Sequence, residues 1–163
     1  MATDFMLAYE SKLFEPAIPS RPVETTVQKL ELTVLFTGLP ETLRALSQAT
    51  RMAQDLHARI RLVVPQVVPY PLPLEAPPVL VEFNARRFQE LAMGQSIETN
   101  VEIFLCRDVE VLLEQVLPEH STVLMGGRAH WWPTAQTRLT RRLQQQGHHV
   151  VFAGQAEKEK THA

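Results

Sequence analysis

Residues 30–46 have the sequence LELTVLFTGLPETLRAL, which contains one complete strand-turn-helix unit. The run 30–36 is first alternating and then continuously apolar, as is typical of a strand that becomes buried on both faces. Thr37 and Gly38 end this run, and the proline and glutamate that follow suit the first turn of a helix. Apolar residues then recur at intervals of three and four as far as residue 58, which predicts a helix with one apolar stripe.

The alternation of strand and helix continues to residue 154. Further strands are predicted at 60–68, 100–106, 121–125 and 149–153, and further helices at 79–93, 109–117 and 134–146. Short apolar strands separated by helices predict parallel pairing, with helices on both faces of the sheet. The predicted fold class is α/β, a single doubly wound three-layer sandwich with five mostly parallel strands.

Prolines and composition divide the chain into three predicted parts. Residues 1–28 contain three prolines within seven residues and no sustained apolar periodicity, which predicts an N-terminal arm whose short apolar pieces could dock on the domain. The α/β domain is predicted at 29–154, and a disordered polar tail at 155–163. Six prolines between residues 65 and 78 predict an extended connection, and Pro65 is expected to end the pairing of the second strand.

Composition excludes several classes of protein. The chain has 163 residues, of which 45% are hydrophobic, and this fits one domain with its own core. No apolar run approaches the roughly 20 residues of a membrane-spanning helix, and no secretory signal is visible. We therefore expect a cytoplasmic protein that does not contact a membrane.

Metal-binding and disulfide frameworks are also not expected. The single cysteine, Cys106, excludes an internal disulfide and a cysteine-based zinc site. His148 and His149 are adjacent, and neighbouring side chains of an extended segment point to opposite faces. Cys106 ends an apolar strand, so we expect it to be a small buried hydrophobic residue. A redox-sensing thiol beside Arg107 is the alternative.

Charge is distributed unevenly along the chain. Residues 1–119 carry ten basic and sixteen acidic side chains, whereas residues 120–154 carry four arginines and no carboxylate. This asymmetry suggests an anion site or a surface for an acidic partner, with chance clustering as the alternative. Nucleic-acid binding is not expected, because the pI is about 6.3 and no aromatic residues are interleaved with the arginines.

The ends of the strands are the predicted positions of a ligand site. In open parallel sheets, ligands bind beyond the carboxyl ends of the strands, where the strand order reverses. The richest of these ends follows the fourth predicted strand, where Gly126 and Gly127 permit a close backbone approach. Arg128, His130 and the start of the last helix could donate to an anion there. Neither GxxxxGK[ST] nor GxGxxG is present, no serine-histidine-aspartate set can be assembled, and no catalytic residue is predicted.

Three segments of the predicted domain carry a resemblance to a known family. They are VLFTG at 34–38, LVVP at 62–65 and VLMGGR at 123–128. Together they resemble the universal stress protein family, whose fourth strand ends in a similar Met-Gly-Ser-Arg turn. The resemblance implies a five-stranded α/β fold, dimers that pair through the last strand, and a division into ATP-binding and non-binding members. The candidate nucleotide- or anion-binding residues are Thr37, Gly38, Val64, Gly126, Gly127, Arg128, His130 and Thr137.

The departures from the family pattern weigh against tight ATP binding. ATP-binding members carry an aspartate where this chain has Thr37, and a second glycine where it has Ala129. The alanine methyl group would crowd a backbone that holds phosphate, and Trp131 and Trp132 add bulk nearby. We expect a non-catalytic regulatory or binding module without tight ATP binding. The alternative is a stress protein that binds ATP or another adenine nucleotide and hydrolyses it at most slowly.

Two surfaces are predicted to meet partners. The last strand is too apolar to remain an unprotected edge, so Val150, Val151 and Phe152 are predicted to form the edge of a homodimer. Trp131 and Trp132 are adjacent indoles in a turn region, and such residues are enriched in interfaces. They are candidates for contact with a protein partner or, alternatively, for filling the cleft that a nucleotide would occupy.

Overall fold

The computed structural model describes residues 4–13, 30–127 and 135–154. The elements in chain order are β1 Phe5–Leu13, β2 Glu31–Leu35, α1 Leu39–Leu56, β3 Arg59–Val67, α2 Val81–Met93, β4 Thr99–Cys106, α3 Val109–Val116, β5 Thr122–Gly126, α4 Ala135–Gln145 and β6 His149–Ala153. The alternation predicted from residue 30 onward is confirmed, and the last strand has the predicted bounds. The α/β fold class is confirmed with it.

Within these ranges the strands form one six-stranded sheet in the order β1-β4-β3-β2-β5-β6. Strands β2 to β6 pair in parallel, and β1 pairs antiparallel with β4. The chain moves outward from β2 through β3 and β4, and then places β5 on the other side of β2. The strand order therefore reverses between β2 and β5, and a ligand site is expected beyond the carboxyl ends of these two strands.

Two apolar layers hold the helices on opposite faces of the sheet. Helices α1 and α2 pack on one face, where Leu46 and Phe88 are buried. Helices α3 and α4 pack on the other, where Leu113 and Leu143 are buried. Successive strand residues alternate between the layers, so Val64 faces α1 and α2 whereas Val63 faces α3 and α4. The result is the predicted three-layer sandwich.

Strand β1 corrects the predicted count of five strands, because nine residues of the predicted N-terminal arm form it. The Phe5 ring of β1 packs edge-on against the Phe104 ring of β4, with ring centroids 6.1 Å apart. The Gln89 amide of α2 donates to the Tyr9 hydroxyl of β1. The register shifts between Leu7 and Tyr9. A bulge of this kind interrupts the two-residue alternation, which is why the sequence shows no strand periodicity here.

Pro65 is a second correction, because it lies within β3 and is paired in register with Phe104. Val63 directs its carbonyl toward β2, where it accepts from the Phe36 N–H at 2.9 Å. Residues two apart in a strand direct their backbone groups to the same side, so Pro65 also faces the β2 side. Since β2 ends at Leu35, the N–H that proline lacks has no neighbouring strand to bond, and β3 continues past it.

The proline-rich connection after β3 contains turns and is not simply extended as predicted. The N–H of Leu72 donates to the Pro69 carbonyl at 3.1 Å, and that of Ala76 to the Pro73 carbonyl at 3.0 Å. Pro69 and Pro73 are the first residues of these turns, so each contributes the carbonyl that proline retains and not the N–H that it lacks.

Candidate functional site

A cleft of about 580 Å³ lies where the strand order reverses. It is surrounded by residues from the carboxyl ends of four strands, β2, β3, β4 and β5, and from helices α3 and α4. Its apolar lining is formed by Leu35, Phe36, Pro65, Val109, Met125, Ala135 and Leu139, and its polar lining by Thr37, Arg107, Asp108, Glu110 and Gln136. A cavity of this size is in the range of small-molecule sites, so this cleft is the candidate functional site.

Gly126 is required by packing at the edge of the cleft. A Cβ placed on Gly126 would lie 1.9 Å from the carbonyl oxygen of Glu41, in the first turn of α1. The close backbone approach predicted for this glycine is therefore made by the chain's own helix. Its carbonyl oxygen accepts from Gln136 Nε2 at 2.7 Å and from Thr37 Oγ1 at 3.3 Å.

Gln136 also covers Gly127. This glycine has a φ of +155°, a conformation that residues with a side chain rarely adopt. A Cβ on Gly127 would lie 2.4 Å from Gln136 Nε2. The turn after β5 is thus backed by an amide side chain of α4, and that amide already donates to a protein carbonyl.

The starts of α1 and α3 carry the chain's own carboxylates. Gly38 caps α1, its carbonyl accepts from the Thr42 N–H at 2.9 Å, and Glu41 lies in the first turn. Asp108 caps α3: its Oδ1 accepts from the N–H groups of Glu110 and Val111 at 2.7 and 3.1 Å. Because negative side chains already meet the positive ends of these two helices, neither end favours a further anion. Helix α4 has no acid in its first turn.

The charged groups that line the described part of the cleft all have partners. Arg107 donates to the carbonyls of Val68 and Leu72 at 2.7 and 2.8 Å, and its guanidinium lies 4.2 Å from the centre of the Tyr70 ring. Glu110 pairs with Arg142 at 2.5 Å, and Asp108 caps α3. Arg142 also pairs with Glu114, so one of the four arginines of the acid-free stretch is neutralised by α3.

The structure brings some predicted site residues together and separates others. Thr37, Gly126 and Gly127 meet beside the cleft, with Gly38 next to them at the cap of α1. Thr137 lies in the first turn of α4, and Val64 is buried between the sheet and the helices α1 and α2. Arg128 and His130 lie outside the described residues, as do Ala129, Trp131 and Trp132.

Sequence reasoning missed the role of Gln136 at this site, and it gave Arg107 no role beyond a place at one of the strand ends where a ligand could bind. Nothing in the sequence around Gln136 indicates which carbonyl its amide will meet. Arg107 directly follows a strand end, which is a signal for a position at the cleft. Its partners come from a loop that precedes it by about 35 to 39 residues in sequence.

Cys106 is fully buried, as predicted for the end of an apolar strand. Burial, together with the nearby carboxylate of Asp108, raises the pKa of its thiol to about 11. The thiolate is the reactive form of cysteine, so this environment disfavours redox sensing. Cys106 is paired in register with Phe5 of β1.

His148 lies just before β6 and accepts from the Ser121 N–H through Nδ1 at 3.2 Å. Burial and, to a lesser degree, the nearby His120 lower its pKa. Across residues 4–13, 30–127 and 135–154, no group of three His, Cys, Asp or Glu side chains could hold a metal ion. Within the same ranges, no helix is both long enough and apolar enough to cross a membrane.

The predicted dimer residues lie on β6, at one edge of the described sheet. Val150 and Phe152 pack partly buried against the layer of α3 and α4, and Val151 packs against the layer of α1 and α2. The strand therefore presents partly exposed apolar side chains on both faces, and one side of its backbone has no neighbouring strand among the described residues.

Comparison with solved structures finds a similar fold in a protein of the universal stress protein family from Burkholderia pseudomallei. The two chains are 23% identical with a TM-score of 0.54, and the match covers 75% of this chain and 93% of the other. No protein-family model and no curated protein matches the chain. The universal-stress-like fold that the sequence resemblance implied is thereby confirmed.

Proposed function

We propose that the protein is a non-catalytic, universal-stress-like regulatory or binding module that acts as a cytoplasmic homodimer and does not bind ATP tightly. The observation that carries this proposal is the arrangement at Gly126, whose carbonyl is held by Gln136 and Thr37. The turn that would cradle phosphates in an ATP-binding relative is here bonded to the chain's own side chains.

The electrostatics of the cleft support the same conclusion. A triphosphate needs unpaired N–H donors or cations, and here Glu41 and Asp108 stand at the starts of α1 and α3. A polyanion in the cleft would lie near these carboxylates, and in a site of reduced dielectric that repulsion is costly. Arg107 contributes a positive charge, but its guanidinium already donates to two carbonyls, so a phosphate would have to compete with those hydrogen bonds.

The acidic residues of the cleft also lack the freedom that catalysis requires. A general base must reach the proton that it removes. Asp108 accepts two backbone N–H bonds, and Glu110 is paired with Arg142. Both carboxylates therefore have structural roles, which supports a module that acts by association.

The homodimer is supported by the character of β6. Its sequence HVVFA contains no acidic residue, lysine or arginine, and natural edge strands are commonly protected by charged residues. Pairing of β6 with β6 of a second copy would satisfy the backbone groups at this edge and cover Val151.

The test is calorimetric titration of ATP, ADP and AMP, each with magnesium, into protein first checked for carried-over nucleotide by its absorbance ratio. We expect no heat of binding and no nucleotide. Micromolar binding of ATP would overturn the proposal and support the alternative, an adenine-nucleotide-binding protein with at most slow hydrolysis. The position and size of the cleft favour that alternative.

A further inference from the structure

We propose that the cleft between the carboxyl ends of β2 and β5 binds a small, uncharged and largely apolar molecule. This inference rests on the proposed function, because it requires that no phosphate group occupies the cleft. The proposed function leaves this cleft without a ligand, and the present inference assigns a class of ligand to it.

The apolar lining provides most of the contact surface. Phe36, Val109 and Leu139 are partly exposed and form the apolar surface of the cleft, while Leu35 and Met125, at most 1% exposed, pack beneath them. These side chains come from β2, β5, α3 and α4, so the cleft is part of the framework and not a feature of one loop. Burial of apolar ligand surface against such a lining is the main favourable contribution available to binding.

The polar lining selects against charge. Arg107, Asp108 and Glu110 each have a protein partner, and the Gln136 amide donates to the Gly126 carbonyl. An ionic ligand of either sign would lose its water and meet a like charge here, the Arg107 guanidinium or the Asp108 and Glu110 carboxylates, and the groups of opposite sign are already hydrogen-bonded within the protein. Burying a charge without a partner is strongly unfavourable, whereas an uncharged ring system loses little on entering.

Three probes that share one ring system test the role of charge. Indole is uncharged, tryptamine carries an ammonium group, and indole-3-propionate carries a carboxylate. Chemical shifts of the uniformly 15N-labelled full chain should show saturable binding of indole, with a Kd at least about tenfold lower than that of either charged probe. Absence of saturable indole binding would overturn the proposal, as would equally tight binding of either charged analogue.

Two matched variants test the location. Ala135 is exposed at the start of α4 and lines the cleft, so Ala135→Trp should fill it and weaken indole binding at least about tenfold. Gln144 is exposed on the same helix, outside the cleft lining, and Gln144→Trp should leave binding unchanged. An unaffected Kd in Ala135→Trp, or an equal loss in both variants, would place indole elsewhere and overturn the assignment.

A third variant separates a free ligand from the chain's own indoles. If indole binds only after Trp131→Ala and Trp132→Ala are combined, the occupant is the chain itself and the proposal is wrong. Titration of ATP into the same samples distinguishes failure of the proposed function from failure of the proposed ligand class. Tight ATP binding overturns the proposed function, whereas absence of both ATP and indole binding overturns the ligand class alone.

Discussion

The two edges of the described sheet differ in the features that control strand pairing. Strand β1 has nine residues, a bulge between Leu7 and Tyr9, and the charged residues Glu10 and Lys12 in its sequence. Strand β6 has five residues, a continuous register with β5, and no acidic residue, lysine or arginine. Bulges and charges are the devices by which natural sheets prevent further pairing. The comparison indicates that β1 closes its edge, whereas β6 leaves its edge available to a second copy.

Placing a charge on β6 should have the largest effect. Val151→Lys puts an ammonium group at the proposed interface, and we expect a rise of about 100-fold in the dimer dissociation constant. Light scattering coupled to gel filtration would show the mass of a monomer. The matched control is Leu7→Lys, on an exposed position of β1, which should leave the mass unchanged.

Because Val151 also packs on the core, a second variant keeps this test decisive. His149 is exposed at the start of β6, so His149→Asp adds charge without removing a core contact, and it should also shift the equilibrium toward monomer. Unchanged dimer mass in both folded variants would remove β6 as the interface.

Weakening β1 should affect stability and not assembly. Phe5→Ala removes the edge-on contact with Phe104, and we expect a loss of about 2 kcal/mol in the free energy of unfolding. Urea denaturation measures this loss. Leu7→Ala, on the same strand but exposed, should cost less than about 0.5 kcal/mol. Equal effects of the two changes would show that the contact of Phe5 does not anchor β1.

Acid should loosen the edge at β6 and leave β1 unaffected. The pKa of His148 is lowered by burial, so the unfolded chain takes up this proton at a higher pH than the folded chain. The contribution of neutral His148 to the free energy of unfolding is therefore fully present above the ordinary histidine pKa of about 6.5, and it decreases as pH falls below that value. Protonation also removes the acceptor for the Ser121 N–H. Hydrogen exchange at pH 5.5 against pH 7.5 should show loss of protection in β6.

Two histidine-to-asparagine substitutions test whether His148 causes this pH dependence. His148→Asn keeps an acceptor that does not titrate, so it should reduce the dependence of melting temperature on pH. His57 has a φ of +51°, which asparagine tolerates, so His57→Asn is the matched control for a histidine-to-asparagine change elsewhere in the domain. The same dependence in wild type and His148→Asn would exclude His148 as its source.

The smallest effect is expected in the labelling rate of Cys106, which measures how often β1 opens. With a pKa of about 11 and full burial, the thiol should react with a disulfide reagent at pH 8 only when β1 opens. Phe5→Ala should increase the labelling rate about fivefold for each kcal/mol by which it favours opening. Val151→Lys, at the other edge, should not change the rate, and an equal increase would show that labelling follows global unfolding.

The sequence allowed the parallel part of the fold to be predicted because each strand is a short apolar run between helix signals. The strand 149–153 was predicted with its observed bounds, since a continuous apolar run follows a glycine and two histidines. Strand β1 was missed because its bulge interrupts the alternation, and Pro65 was misjudged because its missing N–H matters only if a neighbouring strand lies beside it.

For the site, the position could be predicted and the contacts could not. Thr37 follows β2 and Gly126 ends the adjacent parallel strand β5, so the strand-end rule places them together. Which donor reaches the Gly126 carbonyl depends on the distance between β5 and α4, and no local pattern encodes that distance. Gln136 therefore emerges only from tertiary structure.

The contact between Gly126 and Glu41 has an evolutionary consequence. With a Cβ position 1.9 Å from a backbone oxygen, any other residue at 126 would force α1 away from the sheet. Selection for folding alone would keep this glycine through any number of changes in ligand. A glycine retained at this position across relatives would thus record the packing of a helix on a strand, and it is not by itself a signature of nucleotide binding.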